Sequence, residues 1–196
     1  ANPLGHATGL RTFLAEHALS IGDRDRYIEL QFANATERLT LEHYKRFKQL
    51  CTPDEWHAFE PRVLSCLNAT WADEKVSIWL FREQFEEALA ALLEDNSCFD
   101  ARPNSQLRRN ARVLETRYPT ELLSYYLRKL GPIKADSRRR YAEQAHDIAD
   151  IKRVMLDHLG DERAWLSFTV RLKNESKRLP ALRDELNKLG DWTRDF

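Results

Sequence analysis

The chain has 196 residues, 42% of them hydrophobic and 32% charged, with 31 basic and 31 acidic side chains that cancel. That length buries a sizeable core without disulfides, and a neutral whole excludes an overall electrostatic footprint for nucleic acid or an anionic membrane. Only 6 Gly and 7 Pro leave little material for β-turns, so an all-α fold is expected.

In chain order, Leu10, Phe13, Leu14, His17 and Ala18 outline a first helix that stops at Gly22, a residue suited to the left-handed position after a helix. Asp23 caps a second helix carrying Tyr27, Ile28, Leu30, Gln31 and Phe32, and a break is expected over Asn34–Arg38. Thr40 opens a third through Leu41, Tyr44, Phe47 and Leu50. Thr52-Pro53-Asp54-Glu55 is a capping box with Pro at the first helical position. Pro61 predicts a kink or break near Glu60, before Val63, Leu64 and Leu67. Thr70 and Asp73 repeat the capping pattern and start a helical hairpin that includes Val76–Asp95, with its turn near Arg82-Glu83 and no glycine there.

In the second arm of that hairpin Phe85, Ala88, Leu89, Leu92 and Leu93 form one apolar stripe at helical spacing, with Trp79 and Phe81 nearby. With small Ala88 where a neighbour must come close, the hairpin resembles the unit of tetratricopeptide arrays. That resemblance implies an α-solenoid of stacked hairpins, with helix content on the order of 70% or more. Asp95–Ser105 is rich in turn formers. The expected organisation is a disordered start or tag remnant over 1–6, hairpins over 7–95, a linker over 96–105 and hairpins of the same array over 106–196.

Beyond the linker, Leu107, Ala111, Val113 and Leu114 predict a helix ending near Tyr118, and Pro119 starts another that buries Leu122, Leu123, Tyr126, Leu127 and Leu130 before Gly131-Pro132. Asp136 or Ser137 caps a long helix with Tyr141, Ala145, Ile148, Ala149, Ile151, Met155, Leu156 and Leu159, up to Gly160. Asp161 caps a helix through Trp165, Phe168, Val170 and Leu172, and Pro180 opens a last one, Ala181–Leu189, closed by Gly190. Trp192, in the tail DWTRDF, is expected to fold back or to dock into a neighbour, whereas Trp56, Trp71, Trp79 and Trp165 read as core. From Tyr118 on, the Tyr-Pro helix start, the turn Leu159-Gly160-Asp161-Glu162 before Trp165, and Arg178-Leu179-Pro180-Ala181-Leu182 with Glu185-Leu186 resemble the C-terminal helical region of bacterial SWIM zinc-finger proteins. The zinc motif of that family, Cys-x-Cys followed by Cys-x-His, is absent, so the resemblance implies the helical part of a larger protein and carries over no metal site.

Cys51, Cys66 and Cys98 are an odd number at wide spacing, which suits core thiols in a reducing compartment. No run approaches a membrane span, and the start lacks the order of a signal peptide, so a cytoplasmic location is expected. Glu143-x-x-His146 has the spacing of one half of a carboxylate-bridged metal site, but its nearest companion, Asp54-x-x-His57, sits at a helix start where an acid is favoured anyway. No phosphate loop, nucleophile elbow or dinucleotide fingerprint occurs, so neither enzyme activity nor a cofactor is expected. Two basic clusters remain: Arg108, Arg109 and Arg112, and Lys134, Arg138, Arg139 and Arg140. Stacking could bring them onto one side as a strip for an acidic protein partner, which makes a protein-binding scaffold the leading expectation. A nucleic-acid-binding or regulatory module using the same arginines is the alternative.

Overall fold

The structure, a computed structural model, describes residues 3–94 and 105–189. Among these are eleven α-helices and no strand, and helix makes up 81% of the described residues, in line with the ~70% or more expected. The chain falls into two compact units, Ala1–Ala91 and Leu92–Phe196. Asp95, the linker over 96–104, Cys98, Gly190 and the Trp192 tail lie outside the described residues.

The first unit holds α1 (Pro3–Ser20), α2 (Arg24–Glu37), α3 (Leu41–Leu50), α4 (Pro53–Ser65), a 3-10 turn Cys66–Ala69, α5 (Ala72–Phe81) and most of α6 (Phe85–Glu94). α1 and α2 pack closely, and among the described side chains of α1 the buried ones are Ala15 and Ala18. The bulky pair expected to face the core does not: Leu10 and Phe13 are 61% and 65% exposed, while the small Ala15 and Ala18 are buried. Gly22 takes φ +79°, and the Asp23 amide donates to the Ala18 carbonyl at 2.9 Å, which ends α1 cleanly.

Three boundary expectations are corrected. α2 runs unbroken to Glu37, so Asn34 does not break it; burial of Ala35 against the core outweighs the weak helix propensity of asparagine. Of the kink or break expected near Glu60, the break does not occur: α4 continues through Pro61, and Pro61 and His57, whose carbonyl loses its partner, are both on the solvent side. The hairpin starts at Ala72 with exposed Trp71 as its cap, while the Thr70 hydroxyl donates instead to the Cys66 carbonyl at 3.1 Å. The capping box at Thr52 forms as expected, with the Thr52 amide 2.7 Å from Glu55 Oε2. Tyr44, Phe47, Ile28, Val63, Leu67 and Ile78 form the core of this unit, with Trp56 and Phe59 packed against it.

The turn between α5 and α6 places Glu83 at φ +59°, where glycine is usual. A β-branched side chain tolerates that region least, so Glu83→Val is expected to cost about 1–2 kcal/mol, and Glu83→Gly to cost nothing or to stabilise. Denaturant titration of both variants checks this; equal effects would remove the strain from the account.

The second unit holds α7 (Gln106–Leu114), α8 (Pro119–Leu130), α9 (Arg138–Arg153), a π-helical turn Val154–His158, α10 (Glu162–Ser176) and α11 (Pro180–Asn187). Ser105, Ser137 and Asp161 cap α7, α9 and α10, each accepting from the backbone amide three residues on. Of the two caps left open for α9, Ser137 is the one used. α9 is central, packed against α8 and α11 and ion-paired to α7, so it is buried nearly all round although its sequence is strongly polar.

Candidate functional site

The polarity of α9 is explained by a cluster of six charged side chains where α7, α8 and α9 meet. α9 presents Gln144, Asp147 and Asp150 at intervals of three, all buried, with Asp150 at 0% exposure. α7 brings Arg108 and Arg112 one turn apart. The Arg108 guanidinium bridges Asp147 and Asp150. Asp150 also accepts from Arg112 Nη2 at 3.1 Å and from Arg153 Nη2 at 2.6 Å.

Arg153 in turn grips Glu115 at the end of α7 with two bonds, Nε to Oε2 at 2.8 Å and Nη2 to Oε1 at 2.6 Å. Glu115 is 2% exposed and is completed by the Tyr126 hydroxyl at 2.7 Å and by His158 Nε2 at 3.4 Å, from α8 and the π-helical turn. Arg108, Arg112 and Arg153 balance Asp147, Asp150 and Glu115, so the cluster is neutral and closed on itself. Such paired burial is the condition under which charges are tolerated in an interior.

Burial opposes the charge on Arg108, and Asp150 and Asp147 overcome that, so its pKa lies above the ordinary value. Burial, with Asp150 and Glu115 close by, pushes the Tyr126 hydroxyl far up and keeps it a donor. Burial also lowers His146, helped by the positive field of Arg108. Burial pushes Asp147 up to about 6 against the pull of Arg108. A carboxyl that binds its proton more tightly when folded stabilises the fold at low pH and loses that contribution as pH rises from about 4 through about 6. Relative to Asp147→Asn, the parent should therefore lose stability across that window; a flat difference would place Asp147 with ordinary surface carboxylates.

The basic strip anticipated from sequence is not a single exposed feature. Arg108, at 8% exposure, is inside the ion-pair cluster and cannot meet a partner. Arg112 is half exposed but bonded to Asp150, and Arg109 is exposed and donates to Gln106 Oε1 at 2.8 Å. Arg140 closes the end of α8 by donating to the carbonyls of Leu130 at 2.9 Å and Lys129 at 3.2 Å. Lys134, Arg138 and Arg139 remain on the surface, with Arg138 and Arg139 74% and 76% exposed and each 3.1 Å from a carboxylate, Glu185 and Glu143. Arg139 and Asp147 are separated by about 12 Å along α9 at the helical rise, so the two groups of arginines do not merge there.

Glu143 is committed to Arg139 and Arg140, and among the described residues no three His, Cys, Asp or Glu side chains are grouped so as to hold a metal ion. Sequence reasoning missed Asp147, Asp150, Glu115 and Arg153, and read Tyr126 as buried without its hydroxyl bond to Glu115. The available signal was the acidic stripe at Asp147 and Asp150 on the otherwise apolar side of α9. Compared with protein-family models, with curated proteins and with solved structures, the chain matches none.

Proposed function

We propose that this chain is a non-catalytic helical-repeat scaffold that holds a protein partner, the helical part of a larger protein of the SWIM zinc-finger kind. The observation that carries the array reading is a recurrence in the packing. In the first unit α2 meets α4 and α3 meets α5; in the second α7 is ion-paired to α9 and α9 packs on α11. Packing on the next helix but one is how stacked hairpins bury a stripe that none buries alone. The closed charge cluster supports the same reading, since each of its carboxylates is consumed in joining helices. Among the described residues no helix is long and apolar enough to cross a membrane, and Cys51 and Cys66 are free thiols, which favours a cytoplasmic setting.

Lys134, Arg138 and Arg139 are the residues of the basic clusters that this reading assigns to partner contact. They lie before and in the first turn of α9, which contains no acidic residue and where cations oppose the helix dipole; Arg138 and Arg139 are paired from outside that turn by Glu185 and Glu143. Changing all three to Glu is expected to weaken capture of an acidic partner segment by about tenfold or more, with the melting temperature nearly unchanged. Capture with parent and triple variant in parallel tests it. Equal recovery by both would remove these residues from the interface, and steeply salt-dependent binding of unrelated duplexes would favour nucleic acid instead.

A further inference from the structure

Lys134 lies in the connection 131–137 between α8 and α9, which has no helix of its own and leads directly into Arg138 and Arg139. A surface connection of that kind is ordinarily among the more mobile parts of a fold. This one is fastened along its length by side chains of α9. Arg140 Nη2 donates to the carbonyls of Lys129 at 3.2 Å and Leu130 at 2.9 Å. Gln144 Nε2 donates to the carbonyls of Leu130 at 3.4 Å and Pro132 at 3.2 Å. At the far end the Asp136 amide donates to the Tyr141 hydroxyl at 2.9 Å, and the Ser137 amide to Asp136 Oδ1 at 2.7 Å. Arg140, Tyr141 and Gln144 share one arc of α9 at helical spacing, and Arg138 and Arg139 fall outside that arc.

Gln144 does something that packing alone does not require. It is 1% exposed, and its Oε1 has no hydrogen-bond partner among the described residues. A flipped amide would set Oε1 against two carbonyl oxygens, so the two bonds fix the orientation and leave the acceptor bare. A buried acceptor without a donor destabilises a fold, and an apolar side chain of similar size would avoid that cost. What the glutamine supplies instead is a donor to the connection.

We infer that Gln144 and Tyr141 are positioning residues of the partner site: with Arg140 they hold 131–137 in one conformation, so that Lys134 is presented in a fixed place ahead of Arg138 and Arg139. The inference rests on the reading of those three cations as the contact surface and deepens it. A connection ordered in advance spares the entropy that ordering on binding would cost, and when only a fraction of the molecules holds the competent conformation the affinity falls by that fraction.

The test uses the full chain, Tyr141→Phe, Gln144→Leu and the double variant, none of which removes a cation. In the free parent the Asp136 amide is expected to exchange slowly, and the backbone order parameters of 133–135 to lie near the ~0.85 of rigid chain. Tyr141→Phe should speed exchange at Asp136 by about tenfold or more, and the double variant should bring the order parameters below ~0.6. Melting verifies that each variant folds; Tyr141→Phe, which keeps the ring, carries the test by itself should Gln144→Leu unfold. The binding probe is a capped decaglutamate peptide. The double variant should bind it about tenfold more weakly with the salt dependence unchanged, because the ion pairs are the same in number, whereas the triple Glu variant loses affinity and salt dependence together. Fast exchange at Asp136 and low order parameters already in the parent, equal affinity of parent and double variant, or a reduced salt dependence in the double variant would overturn the positioning role. If the triple variant still loses the peptide in those cases, the contact reading stands alone; a parent that does not bind the peptide overturns both.

Discussion

Arg108→Leu is expected to destabilise the protein by about 3–5 kcal/mol, one of the two largest effects of any single change considered, because it leaves buried carboxylates without their shared cation. Asp147 has Arg108 as its ion-pair partner, whereas Asp150 keeps Arg112 and Arg153. The loss should therefore fall chiefly on Asp147, and Arg108→Leu combined with Asp147→Leu should recover part of it, since removing both members of a buried pair is far less costly than removing one. Guanidinium titration separates the cases through the midpoint at constant slope. A loss under about 1 kcal/mol for the single variant would mean that the cluster adds nothing to the joining of α7 and α9.

In the first unit Tyr44→Ala should cost about 3–5 kcal/mol, the range for removing a large buried ring. Tyr44 is fully buried, with Trp56 and Phe81 edge-on at 5.2 and 6.1 Å between ring centroids. Its hydroxyl donates to Glu60 Oε1 at 3.0 Å and accepts from Arg82 Nη1 at 2.9 Å, tying α3 to α4 and to the end of α5. Tyr44→Phe retains the ring and the direct Arg82–Glu60 ion pair, so it should cost only about 1 kcal/mol. Similar losses for both variants would put the stabilisation in the hydroxyl and contradict the packing argument.

The parts of this fold that are legible in the sequence are those decided within one turn of chain. The Thr52 box, the Asp23, Thr40 and Asp161 caps and the glycine at position 22 depend on a side chain and the amides beside it, so local chemistry settles them. What was illegible depends on distant partners. Nothing near Leu10 or Phe13 says that α2 will approach through Ala15 and Ala18 and leave the larger residues outside. Val113 reads as core and is exposed, whereas Arg108 reads as surface and is buried, because its partners lie 39 and 42 residues away. Trp71, read as core, is 77% exposed because α5 begins one residue after it. Charge patterning identified which residues on α7 and α9 were unusual, but it suggested a surface for a partner where the opposite charge was already within the chain. Of the residues first singled out for binding, Lys134, Arg138 and Arg139 keep that assignment as a proposal, while Arg108 and Arg140 serve the packing of α9.

The scaffold account is tested most directly by amide hydrogen exchange of the full chain with and without a purified captured partner. It predicts slowed exchange over residues 131–141, with the α7 amides around Arg108 unchanged. Exchange unaltered over that segment, with protection appearing only elsewhere on the chain, would contradict it.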